Sequence, residues 1–201
     1  MRSAVTCFLI AVVGGVVGVG ITKSPEIIDK VTAHFNSVGE ESAGFWSTPA
    51  INGYGKIHYE SDAQFQPKAD LSNKVVFQIT RSEGGMKIPN LGLERVARVV
   101  NLYVAAGVPL DRLHFVVSVT GDATPAMLNN QQFRRLYGFD NPSLKLIQAL
   151  NDAGVKVTVC DQSVAFHHFK HDWIDRSVVH ALSSPTTVST LENQGYALLQ
   201  M

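Results

Sequence analysis

The side chains in this sequence best suited to chemistry are the thiol of Cys160 and a group of histidines that follows it. Cys160 ends the alternating run Val155-Lys156-Val157-Thr158-Val159, and Asp161-Gln162-Ser163 then offers helix-capping side chains. Ligands collect at the carboxyl ends of strands in an α/β sheet because loops and helix amino termini converge there. The pattern therefore predicts a thiol placed to react. The alternative is a buried cysteine that contributes only packing.

The chain has two cysteines, and we expect them to have different fates. Cys7 lies in an apolar leader, so Cys160 has no disulfide partner once that leader is set aside. An unpaired cysteine in an exported protein must be buried, reactive, metal-bound or paired between chains. The sequence leaves these four possibilities open.

The leader predicts where the protein goes. From Ala4 to Ile21 every residue except Thr6 is apolar or glycine, with Arg2 before this run and Lys23 after it. Residues 1–22 are thus predicted to be a signal peptide or a membrane anchor. In both cases the rest of the chain is exported to a periplasmic or other extracytoplasmic location. It would touch the membrane only through this segment, if the segment is not cleaved.

Histidines close to Cys160 raise the possibility of a metal site. His167 and His171 are four residues apart and would share one face of a helix, as metal-binding pairs do. A helix starting at Asp161 would place His167 roughly 10 Å along its axis from the thiol, at about 1.5 Å per residue. We therefore favour exposed polar histidines packed around neighbouring aromatic residues, and predict no metal, with His167 and His171 as the candidates if one binds.

Composition narrows the class of protein. The chain has 201 residues, of which 45% are hydrophobic and 17% charged, which is typical of one globular domain. Its 17 basic and 17 acidic residues balance, which argues against a nucleic-acid partner. Residues 23–70 mix aromatics with glycine and proline in their second half, which suits an extension lying over the core. The domain itself is predicted at residues 71–201.

Hydrophobic periodicity within that domain alternates between strands and helices. β-Rich runs begin at Val75, Leu113, Val155 and Tyr196, and apolar helical stripes begin near Leu91, Ser143 and Pro185. Strands that alternate with helices of this length form parallel β-α-β units. The predicted fold is α/β, a three-layer α/β/α sandwich with a mainly parallel sheet of about five strands.

This topology predicts which residues surround the thiol. In a parallel sheet, Thr120-Gly121 after the second strand should lie near the end of the Cys160 strand. The pocket candidates are Asp161, Gln162, Ser163, Thr120 and Gly121, together with Asn101 on the first core helix. The chain contains no Gly-x-Ser-x-Gly elbow and no phosphate-binding loop with lysine, which argues against a hydrolase or a nucleotide-dependent enzyme. No cofactor is predicted.

Several motifs together resemble a known family. They are Trp46 and Pro49, Gly53-Tyr54-Gly55-Lys56, Gln66-Pro67, Lys74-Val75-Val76-Phe77, Asn101-Leu102-Tyr103, Ala106-Gly107-Val108, Asn141-Pro142, Leu146-Ile147 with Leu150, the run from Ala153 to Ser163, and Gly195-Tyr196-Ala197-Leu198. With these motifs the chain resembles the DsrE/DsrF-like sulfur-relay family, in particular exported members with an N-terminal extension. The resemblance covers roughly Gly44 to the carboxyl terminus, and its most specific part is the strand ending in Cys160.

The resemblance implies a function for the thiol. Cys160 would carry sulfane sulfur as a persulfide, exchanged with a donor or acceptor protein, and the domain would form a homo-oligomer. The activity would be at most that of a sulfurtransferase-like relay protein. Two positions depart from the family pattern: Asp161 stands where glycine usually follows the cysteine, and Thr120 where histidine often precedes the loop glycine. Two alternatives remain, a non-catalytic binding module for a small ligand or metal and a purely structural homo-oligomer.

Overall fold

The computed structural model describes residues 44–201, and residues from Trp46 onward form one compact unit. The predicted signal peptide or anchor of residues 1–22 and the first part of the extension, up to residue 43, lie outside the described residues. Within residues 44–201, no helix is both long and apolar enough to cross a membrane.

Five parallel strands form a single sheet in the order β4-β3-β2-β1-β5. The strands are β1 (Lys74–Ile79), β2 (His114–Val119), β3 (Lys156–Cys160), β4 (Val179–Ala181) and β5 (Ala197–Gln200). The β-branched and aromatic residues of β1, β2 and β3 form hydrophobic runs, as expected for strands buried on both faces. The predicted parallel sheet of about five strands is confirmed.

Helices cover both faces of this sheet. They are α1 (Leu91–Ala105), α2 (Asn130–Tyr137), α3 (Leu144–Asp152), α4 (Asp161–Phe166) and α5 (Ser184–Asn193). Phe77 of β1 belongs to the main core with Leu93 of α1 and Ile147 of α3. The next residue, Gln78, points the other way and donates its amide N–H to the Ser184 hydroxyl of α5 at 3.0 Å. The predicted three-layer α/β/α arrangement is therefore confirmed.

Two elements were not anticipated from the sequence. Helix α2 begins after Asn129, whose side chain accepts the Gln132 amide, and it ends at Gly138 in a left-handed conformation with φ of 86°. Strand β4 has only three residues, Val-His-Ala, and these form a strand because they pair with the end of β3. A strand this short carries no readable alternation.

Asn101 of α1 fastens the segment before β1 onto the domain. Residues 46–73 contain no helix or strand, only an isolated bridge between Ser47 and Ile57. The Asn101 side-chain oxygen accepts the backbone N–H groups of Ala50 and Ile51 at 2.9 and 2.8 Å. Its amide nitrogen donates to the carbonyls of residues 54 and 55, both at 2.9 Å. One fully buried side chain thus makes four hydrogen bonds to this segment.

We predict that Asn101→Ala lowers the free energy of unfolding by about 3 kcal/mol, because it leaves buried backbone donors and acceptors without partners. Urea denaturation followed by circular dichroism measures the change. The matched control is Asn193→Ala, since the Asn193 amide makes one exposed hydrogen bond to Ser189 and its loss should change stability by less than about 0.5 kcal/mol. Equal midpoints for the two variants would show that Asn101 does not hold the segment.

Candidate functional site

Cys160 is held at the carboxyl end of β3 by neighbours on both sides. β3 pairs with β2 on one edge and with β4 on the other, where Cys160 lies opposite Ala181. Helix α4 starts at the next residue, so Cys160 occupies the N-cap position, although its side chain makes no capping hydrogen bond. It is the only cysteine among residues 44–201, is not in a disulfide, and is 3% exposed.

The alternation of β3 determines which face of the sheet carries the thiol. Val157 and Val159 belong to the main core, so Thr158 and Cys160 face the opposite side. Thr158 pairs in register with Ser118, whose hydroxyl donates to Ser184 at the start of α5 at 2.9 Å. The thiol therefore lies on the α5 side of the sheet, a side that carries several hydroxyl groups.

The loop after β2 lies next to α4, as the parallel topology predicts. Val119 pairs with Val159, so Thr120 and Gly121 follow at the level of Cys160. The buried hydroxyls of Thr124 and Ser163 are 2.7 Å apart, which joins this loop to α4. Gln162 points outward and donates its amide N–H to the Leu182 carbonyl at 3.2 Å. The structure thus gathers five of the predicted pocket residues around one sheet edge, with Ser163 and Gln162 already engaged in hydrogen bonds.

Asn101 is not part of this group. All four hydrogen bonds of its side chain go to the backbone of residues 50–55. In this structure Asn101 joins the segment before β1 to α1, and none of the hydrogen bonds among residues 44–201 links its side chain to the end of β3.

The Asp161 carboxylate is directed at a histidine. His180 in β4 donates its Nδ1–H to Asp161 Oδ1 at 2.5 Å, because an ionised carboxylate can only accept a hydrogen bond. Asp161 therefore does not cap helix α4. It instead accepts a hydrogen bond from a partner that is 19 residues away in the sequence.

A second histidine completes a compact group with this pair. The ring of His171 stacks on that of His180, with ring centres 3.3 Å apart and planes inclined by 13°. One ligand atom each from Asp161, His171 and His180 lies within 4.8 Å of the other two. We call these three residues the Asp-His-His cluster. His180 was not among the residues predicted from the sequence, where its only signal is its place as a polar residue in the apolar run from Val178 to Leu182.

The helical geometry expected for His167 and His171 is wrong. Helix α4 ends at Phe166, and His168 has a left-handed backbone with φ of 56°, so the chain turns before His171. The Nε2 atom of His167 lies 3.0 Å from the Gly121 carbonyl oxygen, and the His167 ring stacks on the ring of Phe169. His167 therefore braces α4 against the β2 loop, while His171 lies with His180.

Comparisons with known proteins relate most of this unit to one family. A sequence model of the DsrE/DsrF-like family matches residues 73–201. A solved structure titled as a protein of unknown function, MTH1491 from Methanobacterium thermoautotrophicum, aligns with 14% identity and a TM-score of 0.47, covering 63% of this chain and 97% of that one. No curated protein matches.

Gly121 is the position in the β2 loop that least tolerates a side chain. Its φ is 57°, and a Cβ there would lie 2.9 Å from the Thr80 carbonyl oxygen. Gly138 also has a positive φ, of 86°, but a Cβ atom built there would meet no other atom within 4 Å. It is therefore a matched control for the effect of the backbone conformation alone.

We predict that Gly138→Ala costs about 1 kcal/mol, the penalty for a left-handed alanine. Gly121→Ala should cost roughly 1–2 kcal/mol more, because the loop must also shift away from Thr80. Urea denaturation of both variants measures the difference. Equal losses would mean that the β2 loop moves freely and does not fix the edge of the site.

Proposed function

Because the chain belongs to the DsrE/DsrF-like family, we propose that it carries sulfane sulfur as a persulfide on Cys160 and passes it between proteins. The observation that carries this proposal is the position of the thiol. Cys160 lies inside the matched segment, at the carboxyl end of a central strand and directly before a helix.

The transfer is a balanced exchange between sulfur atoms. The Cys160 thiolate attacks the terminal sulfur of a donor persulfide, a new S–S bond forms on Cys160, and the donor leaves as a thiolate. An acceptor thiolate then attacks the terminal sulfur of the Cys160 persulfide, and the Cys160 thiolate is released. No net oxidation or reduction takes place, and no cofactor is needed.

Two features of the surroundings support this chemistry. The first backbone N–H groups of α4 follow Cys160 directly, and a helix amino terminus favours a thiolate. The negative charge of Asp161 would oppose a thiolate, but it is engaged by His180.

Burial sets a condition on the exchange. A thiol that is 3% exposed must be uncovered before it meets another protein's sulfur. Its neighbour β4 is a three-residue edge strand, and the residue after it, Leu182, is exposed. Short edge elements with few contacts open at low free-energy cost. We infer that displacement of β4 and the residues after it gives access to the thiol.

We predict that the folded full chain gains one sulfur atom on Cys160 when treated with glutathione persulfide. The experiment uses a Cys7→Ser background, so that Cys160 is the only thiol. Intact-mass spectrometry should show the added sulfur, and an acceptor thiol should remove it again.

The control is Cys160→Ser in the same background, which should gain nothing. Alkylation should be slower in the folded protein than in urea, because the thiol is covered. If the unfolded chain takes up sulfur and the folded chain does not, Cys160 is a packing residue and the relay proposal fails.

We further propose that residues 1–22 direct the domain out of the cytoplasm, on the basis of their apolar sequence. The full chain produced in a bacterial host should appear in the periplasmic or membrane fraction. Deletion of residues 2–22 should retain it in the cytoplasm, and an unchanged distribution would contradict the proposal. The mass of the exported form shows whether the segment is cleaved.

Self-association is a separate proposal from the sequence resemblance. The exposed apolar side chains of Val179 in β4 and Leu182 directly after it are compatible with it, as is exposed Phe166 at the end of α4. Sedimentation equilibrium of the exported protein gives the number of chains per particle.

A further inference from the structure

We propose that Asp161, His171 and His180 bind one divalent first-row transition-metal ion, for which Zn²⁺ serves as the probe. The cluster is set apart from the sulfur-relay proposal because Cys160 is not one of its members.

The cluster brings together three suitable donors from three separate elements. Asp161 begins α4, His171 begins a short 3₁₀ turn at residues 171–173, and His180 is the middle residue of β4. Their ligand atoms lie within 4.8 Å of one another. Zn²⁺ with bonds of about 2.0–2.1 Å holds tetrahedral ligands about 3.3 Å apart. The His171 and His180 rings are stacked with nearly parallel planes, so one ring, of which His171 is the more exposed, has to rotate out of the stack before both nitrogens can face one ion.

While β4 is paired with β3, other contacts position the backbone around each donor. His180 pairs with Val159 in the sheet, which holds it beside the start of α4. The turn that carries His171 is tied to the loop before α2, because Asn129 donates its backbone N–H to the Trp173 carbonyl at 2.9 Å. An ion would therefore meet donors that are already close, which reduces the entropy lost on binding.

The donor set selects the class of ion. Two imidazoles and one carboxylate suit Zn²⁺, Cu²⁺, Ni²⁺ and Fe²⁺, whereas Mg²⁺ and Ca²⁺ prefer sets made entirely of oxygen. Binding replaces the hydrogen bond between His180 and Asp161 with two metal bonds, and a neutral His180 then carries its proton on Nε2 instead of Nδ1. Three protein ligands with an exposed His171 leave room for water or a small ligand on the ion.

The fold separates this cluster from the thiol. His180 pairs with Val159, whose side chain belongs to the main core, while Cys160 points to the other face of the sheet. An ion held by the Asp-His-His cluster would therefore not use the Cys160 sulfur. The site also differs from the pair of His167 and His171, which are the metal-ligand candidates in the sequence.

The test measures Zn²⁺ binding to the full chain by isothermal titration and by equilibrium dialysis with metal analysis. We expect one Zn²⁺ per chain. His171→Ala, His180→Gln and Asp161→Asn should each weaken binding on the order of 10–100-fold. His171 is exposed, so His171→Ala keeps the test valid even if a variant at a less exposed position unfolds.

Matched controls separate this site from other histidines and from the thiol. His168→Asn changes an exposed histidine with a left-handed backbone that asparagine tolerates, and it should leave affinity unchanged. His167→Gln and Cys160→Ser should also retain the ion. Replacement of Zn²⁺ by Co²⁺ should give visible d–d bands without a sulfur-to-metal charge-transfer band.

Three outcomes would overturn the proposal. The wild-type chain could bind no Zn²⁺, His171→Ala and His180→Gln could bind it as tightly as wild type, or Cys160→Ser or His167→Gln could abolish binding. The relay test is run without added Zn²⁺, because an ion that joins His180 of β4 to Asp161 of α4 would oppose the displacement of β4. Cys160→Ser is expected to lose sulfur uptake and keep the ion, and His171→Ala to do the reverse.

Discussion

The alternation of side chains along β3 is the constraint on which the arrangement of the site depends. β3 is hydrogen-bonded to β2 and β4, so its residues cannot rotate to exchange faces. Val157 and Val159 must enter the main core, which fixes Cys160 on the α5 side. A shift of one residue in this register would place the thiol in the core and a valine at the strand end. The position of the sulfur thus follows from the burial of two valines.

The same constraint organises the segment after β3. Helix α4 starts at Asp161, directly after the strand, and its Val164 belongs to the main core. The Thr124–Ser163 hydrogen bond then fixes α4 against the β2 loop. Asp161 lies in the first turn of α4, where the edge strand β4 presents His180. The thiol and the Asp-His-His cluster therefore share one end of the sheet but belong to different environments.

Much of this fold could be predicted from the sequence, because β1, β2 and β3 carry long β-branched runs and α1 has a regular apolar stripe. The position of Thr120-Gly121 near the end of the Cys160 strand followed from parallel topology alone. β4 could not be predicted, since three residues form a strand only when a neighbour supplies the pairing. The contact between Asp161 and His180 could not be predicted for the same reason. It depends on the pairing of β4 with β3, which the spacing of the two residues in the sequence does not reveal. Asn101 was misleading because an asparagine on a helix does not reveal whether it faces a ligand or another part of the chain.

Asp161 connects the surroundings of the thiol with the Asp-His-His cluster, because it follows Cys160 directly and belongs to the cluster. Glycine is the residue expected after the cysteine from the family resemblance, and this chain has Asp161 there. Its carboxylate oxygen Oδ1 lies 2.5 Å from Nδ1 of His180. A glycine at that position would leave the His180 Nδ1–H without this acceptor and would leave His171 and His180 without a carboxylate beside them. The carboxylate is thus engaged in a hydrogen bond with a residue of the edge strand β4. In the sequence, Asp161 looks unfavourable for a thiolate at Cys160. In the structure, the same residue completes the Asp-His-His cluster at this end of the sheet.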